Sequence, residues 1–163
     1  MNNIDYEIYK LGNVELLSGE ILLSAKLAYK TYGSLNSDKS NVIVLPTFYT
    51  GTHYRNEGFF GTKRAINPEK HFIISINMFG NGLSTSPSNS IKQKGSKFPT
   101  ITLFDNVACQ HTLINKHLNI NKIAEKVMGK VMLNSYVQYK NDEWERYHQA
   151  VTDWEVKEYL RLY

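Results

Sequence analysis

NVIVLPT, residues 41–47, decides the fold. Val42, Ile43, Val44 and Leu45 follow one another with no polar alternation, which is how a strand buried on both faces of a parallel sheet reads. Pro46 lacks the N–H needed to continue the ladder and ends the run. A parallel partner lies downstream in HFIISIN (71–77), a second short apolar run. Between them run the loop FYTGTHYRNEGFFG (48–61) and TKRAIN (62–67), where a short helix is expected. The second strand opens into MFGNGLSTSPSNS (78–90), whose glycines and serines predict a shaped loop. In open α/β sheets functional loops lie at the carboxyl ends of strands, so these two loops are the first place to look for chemistry.

Outward from this pair, EILLSAKLAYKTYG (20–33) predicts an early strand or hairpin strand ended by Gly33, and SLNSDKS (34–40) a polar turn. FPTITLFDNVACQHTLINKHLNI (98–120) predicts a helix. Thr102 and Asp105 have capping-box spacing, and Phe104, Ala108, His111, Ile114 and Leu118 form one stripe. INKIAEKVMG (120–129) could begin a third parallel strand. Strand, loop, helix and strand in this order predict α/β architecture with right-handed crossovers. Past Gly129, residues 130–163 contain no glycine or proline but both tryptophans, Trp144 and Trp154. Two helices are expected there. The first carries Met128, Met132, Tyr136 and Tyr139 at helical spacing; the second starts at TDWE, where Thr152 and Glu155 repeat the capping spacing, and displays Val156, Tyr159, Leu160 and Tyr163.

The totals suit one soluble domain of 163 residues, 42% hydrophobic and 21% charged. No window holds the roughly eighteen consecutive apolar residues of a membrane span. The first twenty residues mix Asp5, Glu7, Glu15 and Glu20 with short apolar runs, unlike a signal peptide, so a cytoplasmic protein is expected. The net charge of +4 is spread along the chain, which argues against nucleic acid as a partner. One cysteine, Cys109, excludes an internal disulfide and reads as a small helix-face hydrophobe. His53, His71, His111, His117 and His148 show no metal-ligand spacing and read as surface or packing residues. Neither metal nor cofactor is expected.

LAYKTYGSLN (27–36), NVIVLPTFYTGTH (41–53), FIISINMFGNGLSTSPSNS (72–90) and FPTITLFDNVACQHTLINKHLNINKIA (98–124) together resemble the homoserine O-acetyltransferase family of α/β-hydrolase-fold enzymes. The resemblance implies acyl transfer through a serine ester, with an acyl-CoA or a small ester as substrate. In that family the serine sits on a strained strand-to-helix turn and is activated by a histidine that a later carboxylate orients. One oxyanion donor comes from the loop after an earlier strand; matched here, it is the backbone N–H of Tyr49. Thr47 stands where the acetyltransferases carry histidine, which points to the broader acetyltransferase-like hydrolase branch and leaves the acyl acceptor open.

The elbow itself is missing. If Gly129 is its first glycine, Val131 occupies the nucleophile position and Leu133 that of the second glycine. Valine has no nucleophilic atom, and its β-branch tolerates positive φ poorly. The thirty residues 134–163 are too few for the remaining strands, so the resemblance implies that the acid and histidine are absent too.

From about Val127 onward the chain resembles a different family. Met128-Gly129, Lys140 to Trp144, and Val151 to Leu160 match the C-terminal end of glutamine synthetase, a helical piece concerned with packing and subunit contacts. The expectation is therefore a partial α/β-hydrolase domain over 1–125, a truncated sheet, joined to a two-helix tail over 126–163. An acyltransferase-like fragment without turnover follows, and the open sheet predicts self-association. Two alternatives stand beside it. One is an enzyme using Ser84 or Cys109 as nucleophile, although Ser84 has no second glycine two residues on. The other is an interaction module docking on glutamine synthetase through the tail. Asp105 precedes any nucleophile and reads as a helix-start residue rather than a catalytic acid.

Overall fold

The computed structural model describes residues 4–48 and 51–121. Its architecture is mixed α/β, as expected. Strands β1 (Glu7–Glu15), β2 (Ile21–Tyr32), β3 (Val42–Pro46) and β4 (Phe72–Ile76) form one sheet in the order β1-β2-β4-β3. β3 and β4 are parallel in the register Val42 to Phe72 through Pro46 to Ile76. Val42 to Leu45 are all buried, as are Ile73, Ile74 and Ile76, so both faces of this pair lie inside the protein. That is why the runs are uniformly apolar. β2 joins the other side of β4 antiparallel, Tyr29 opposite Ile76.

β1 was not expected, because EIYKLGNVE is largely exposed and lacks the apolar content of a core strand. It pairs antiparallel with β2 as a hairpin, with the register broken on either side of Gly12, whose φ of 80° accommodates the irregularity. Gly33 ends β2 at φ 76°, and a Cβ there would collide with the backbone oxygens of His71 and Pro68. Only glycine lets the chain leave β2 against the turn that enters β4.

The helix expected at 62–67 is absent. Asn67 instead ties the segment into turns: its Nδ2 donates to Thr62 O at 3.0 Å and its Oδ1 accepts from Glu69 N at 2.8 Å. A short polar side chain bonding its own backbone neighbours competes with helix formation. The helix lies upstream, as α1 (His53–Asn56) followed by a 3-10 turn (Glu57–Phe59).

α2 (Leu103–Thr112) opens with the anticipated capping box: Asp105 N–H donates to Thr102 Oγ1 at 3.3 Å, and Thr102 N–H to Asp105 Oδ2 at 2.7 Å. It runs on as a π-helical turn, Leu113–His117. Its buried face is not the predicted stripe. Asp105, Asn106, Cys109 and Gln110 face inward, continued by Leu113 and Ile114, whereas Ala108 is exposed. The face was misread because polar side chains occupy it, held by hydrogen bonds to distant loops. Asp105 Oδ1 accepts Leu17 N–H at 2.7 Å, and Asn106 Oδ1 accepts Phe79 N–H at 2.9 Å.

No helix among the described residues is long and apolar enough to cross a membrane. The third strand expected near 120–129, Val131 and the two-helix tail lie outside the described residues.

Candidate functional site: the loops after β3 and β4

Because β3 and β4 are parallel, the loops that follow them leave from the same end of the sheet. Thr47 begins one and Asn77 the other. The two are stitched together at once: Thr47 N–H donates to Ile76 O at 2.9 Å, and Met78 N–H to Thr47 Oγ1 at 3.0 Å. Thr47, the residue that departs from the acetyltransferase histidine, is therefore a buried fastening between the loops.

Further on, Gly51 N–H donates to Phe48 O at 2.9 Å. Gly51 O accepts Asn81 Nδ2 at 3.3 Å, and His53 N–H donates to Asn77 Oδ1 at 3.1 Å. The post-β3 loop is thus held at Thr47, Gly51 and His53, on both sides of Tyr49. Tyr49, the expected oxyanion donor, itself lies outside the described residues.

Asn77 is the hub of this arrangement. It is fully buried, with its N–H and Nδ2 both donating to Ala28 O, at 2.9 and 3.1 Å. Its Oδ1 accepts His53 N–H and also Asn81 Nδ2 at 2.9 Å, and its Nδ2 lies 3.2 Å from His53 Nδ1. His53 is likewise fully buried, and its Nε2 reaches Asp5 Oδ1 at 3.4 Å. Asn56 secures the far end of α1, donating from Nδ2 to Leu45 O and Ser75 Oγ, each at 2.9 Å. Among the described residues no buried side-chain nitrogen or oxygen lacks a partner, which makes this a rigid framework rather than an open polar cavity.

Asp5 joins the framework to a surface cluster. Lys30 Nζ donates to Asp5 Oδ2 at 2.7 Å and to Glu57 Oε1 at 3.1 Å, and Tyr54 OH donates to Asp5 Oδ1 at 2.6 Å. The Lys30 ammonium first, and the Tyr54 hydroxyl second, hold the Asp5 carboxyl far below the usual range. The same Asp5 contact raises the Lys30 ammonium, with a further contribution from the hydrogen bond it donates to Glu57. Burial, together with Glu57, pushes the Tyr32 hydroxyl up.

The unconventional nucleophiles fare poorly. Ser84 is fully buried, donating from Oγ to Asn77 O at 2.6 Å while accepting Ala28 N–H at 2.9 Å. Its hydroxyl pins the loop to the sheet. Cys109 is buried, and burial, with the Asp105 charge adding to it, pushes the thiol up to about 11. A thiolate nucleophile needs the opposite environment. Asp105 is a helix-start residue, as expected, the capping-box partner of Thr102; burial alone would raise its pKa, but hydrogen bonds from Thr102 and Leu17 hold it below the ordinary value. His71 accepts Asn67 N–H at Nδ1, and His117 stacks on Tyr9 and contacts the Tyr29 hydroxyl. His148 lies outside the described residues. No group of three or more His, Cys, Asp or Glu side chains among the described residues could hold a metal ion.

Sequence reasoning found the loops but missed the hub. From sequence His53 reads as a surface or packing residue, and no motif marks Asn77. The one available signal was Asn77 directly following a buried apolar strand, where a polar side chain must find partners.

A Corynebacterium glutamicum protein described as a probable esterase is 42% identical over 129 residues, 77% of this chain and 37% of that relative. A homoserine O-acetyltransferase of Methanohalophilus mahii is 38% identical over 125 residues, 66% of this chain and 26% of the relative. The solved structure of an acetylester hydrolase from Corynebacterium glutamicum superposes with a TM-score of 0.69 at 43% identity, covering 72% of this chain and 35% of the other. The chain thus spans between about a quarter and little more than a third of the length of these relatives. The family model for the glutamine synthetase catalytic domain matches residues 86–159, beginning well before the tail and overlapping α2. Over roughly three quarters of its length the chain is a homologue of the α/β-hydrolase-fold esterases and homoserine O-acetyltransferases.

Proposed function

We propose that the chain carries the oxyanion half of an acyl-transfer site and no nucleophile, so that it does not turn over substrate alone. The observation that supports this best is the fastening of the post-β3 loop at Thr47, Gly51 and His53, on either side of Tyr49. A backbone N–H stabilises a developing oxyanion only if it is aimed before the reaction begins. The parent chemistry is transfer of an acyl group from an acyl-CoA or a small ester through a serine ester. Here Val131 stands at the expected serine position, Ser84 is committed to the backbone, and Cys109 is a buried, protonated thiol. A cytoplasmic setting goes with this reading, since a free thiol requires no oxidising compartment.

The test is labelling of the purified chain with a fluorophosphonate and with a thiol-reactive acyl probe, followed by peptide mapping. Absence of any adduct is expected. A stoichiometric adduct on Ser84 or Cys109 would overturn the proposal.

The match to glutamine synthetase over 86–159 favours a second reading, an interaction module that docks on glutamine synthetase through its C-terminal segment. Purified glutamine synthetase would retain the full chain and not the chain lacking residues 130–163. Equal retention of both, or of neither, would dismiss it.

A further inference from the structure

We propose that Asn77 is the positioning residue of the post-β3 loop, and that it acts by fixing the His53 ring with Nδ1 as an acceptor and the ring proton on Nε2. The amide orientation of Asn77 follows from its neighbours. Its Oδ1 faces two donors, His53 N–H and Asn81 Nδ2, and its Nδ2 faces the acceptor Ala28 O. Nδ2 therefore has only a proton to offer to His53 Nδ1, which must accept. The imidazole proton is left on Nε2, aimed at Asp5 Oδ1. Asp5 is in turn held by Lys30 and Tyr54, so it stays an acceptor.

One side chain thereby grips His53 twice, by its backbone N–H and by its ring. Through Asn81 it also reaches Gly51 O, two residues beyond Tyr49. Three segments far apart in sequence meet here: the approach to β1, the loop after β3 and the end of β4. The ring is closed against Tyr6 and Tyr54, with centroids 5.5 and 4.2 Å away, which denies it alternative partners. What the loop does for chemistry rests on the acyl-transfer reading, but the positioning can be measured without any turnover, so the two fail independently.

The experiment uses the full chain labelled with ¹⁵N. In the parent, imidazole long-range ¹⁵N–¹H spectra should show His53 protonated at Nε2 and bare at Nδ1. This needs no substitution, and a proton on Nδ1 would overturn the proposal. Asn77→Asp keeps the acceptor for His53 N–H and removes the donor to Nδ1, along with the Nδ2 bond to Ala28 O, while the backbone N–H at that position still donates to Ala28 O. The ring should then take a proton at Nδ1 while the His53 amide stays protected from exchange. Asn77→Ala removes both grips, and exchange of the His53 amide should rise at least about tenfold, with the Val44 and Ile74 amides unchanged. An Asn77→Asp spectrum identical to the parent, or an unaltered His53 amide in Asn77→Ala, would show that Asn77 only fills space. Should Asn77→Ala fail to fold, the parent tautomer and the isosteric Asn77→Asp still decide.

Discussion

Asp105 accepts the backbone N–H of Leu17 at 2.7 Å from 88 residues further along the chain, with the same carboxylate that caps α2. The contact ties the β1–β2 turn to the start of α2. A cap is worth about 1 kcal/mol, and a hydrogen bond to a charged group about 2 kcal/mol. Asp105→Ala should therefore destabilise by about 3 kcal/mol, read as a lower urea midpoint at unchanged slope. Asp105→Asn, which keeps an acceptor, should lose less than half as much.

Acid should weaken the fold through Asp5 and Asp105 together. Both have folded-state pKa values below their unfolded ones. Their contribution is therefore complete above the unfolded value near 4 and is lost as pH falls towards the folded values. Thermal melts in a pH series should show a midpoint that is flat down to about pH 4–5 and falls below it. Asp5→Asn should reduce the size of the fall, because the pairing with Lys30 and Tyr54 no longer depends on ionisation. An identical acid limb in that variant would count against the assignment.

Gly33 sits at φ 76° beneath the backbone of Pro68 and His71. Gly33→Ala adds both left-handed strain and a clash with rigid carbonyls, and should cost upwards of about 2 kcal/mol. Gly58→Ala, where nothing lies within reach of the added methyl and φ is not positive, is the control and should stay within about 0.5 kcal/mol.

Cys109 should react slowly. A thiol pushed up to about 11 has roughly 100-fold less thiolate near neutral pH than an ordinary exposed one, and burial slows access further. Its reaction with a disulfide reagent at pH 8 should accelerate by at least that factor in strong urea. Equal rates in native and unfolded chain would contradict its buried placement.

What was legible in the sequence follows from what each residue has to satisfy. β3 and β4 are buried on both faces, so their apolar runs carry their own signature, and the Thr102–Asp105 cap is a local pattern that tertiary context has no reason to override. The Asp105–Asn106 part of the buried face of α2 is illegible because its partners, Leu17 and Phe79, lie far away in sequence, and a polar side chain bonded at long range looks solvent-facing in a periodicity count. β1 was missed because its neighbours leave most of it exposed. TKRAIN looked helical until Asn67 is seen to bond Thr62 and Glu69. In the candidate site the loops were readable from strand ends, but the His53–Asn77 pairing depends on β3 and β4 lying side by side.

On the proposed reading, an oxyanion-donating loop is present without an attacking group. That reading's most direct measurement is acyl turnover by the purified full chain, assayed as release from p-nitrophenyl acetate and as homoserine acetylation from acetyl-CoA. Rates equal to buffer for both are predicted; a rate clearly above buffer that follows the folded chain through size exclusion and disappears on unfolding would contradict it.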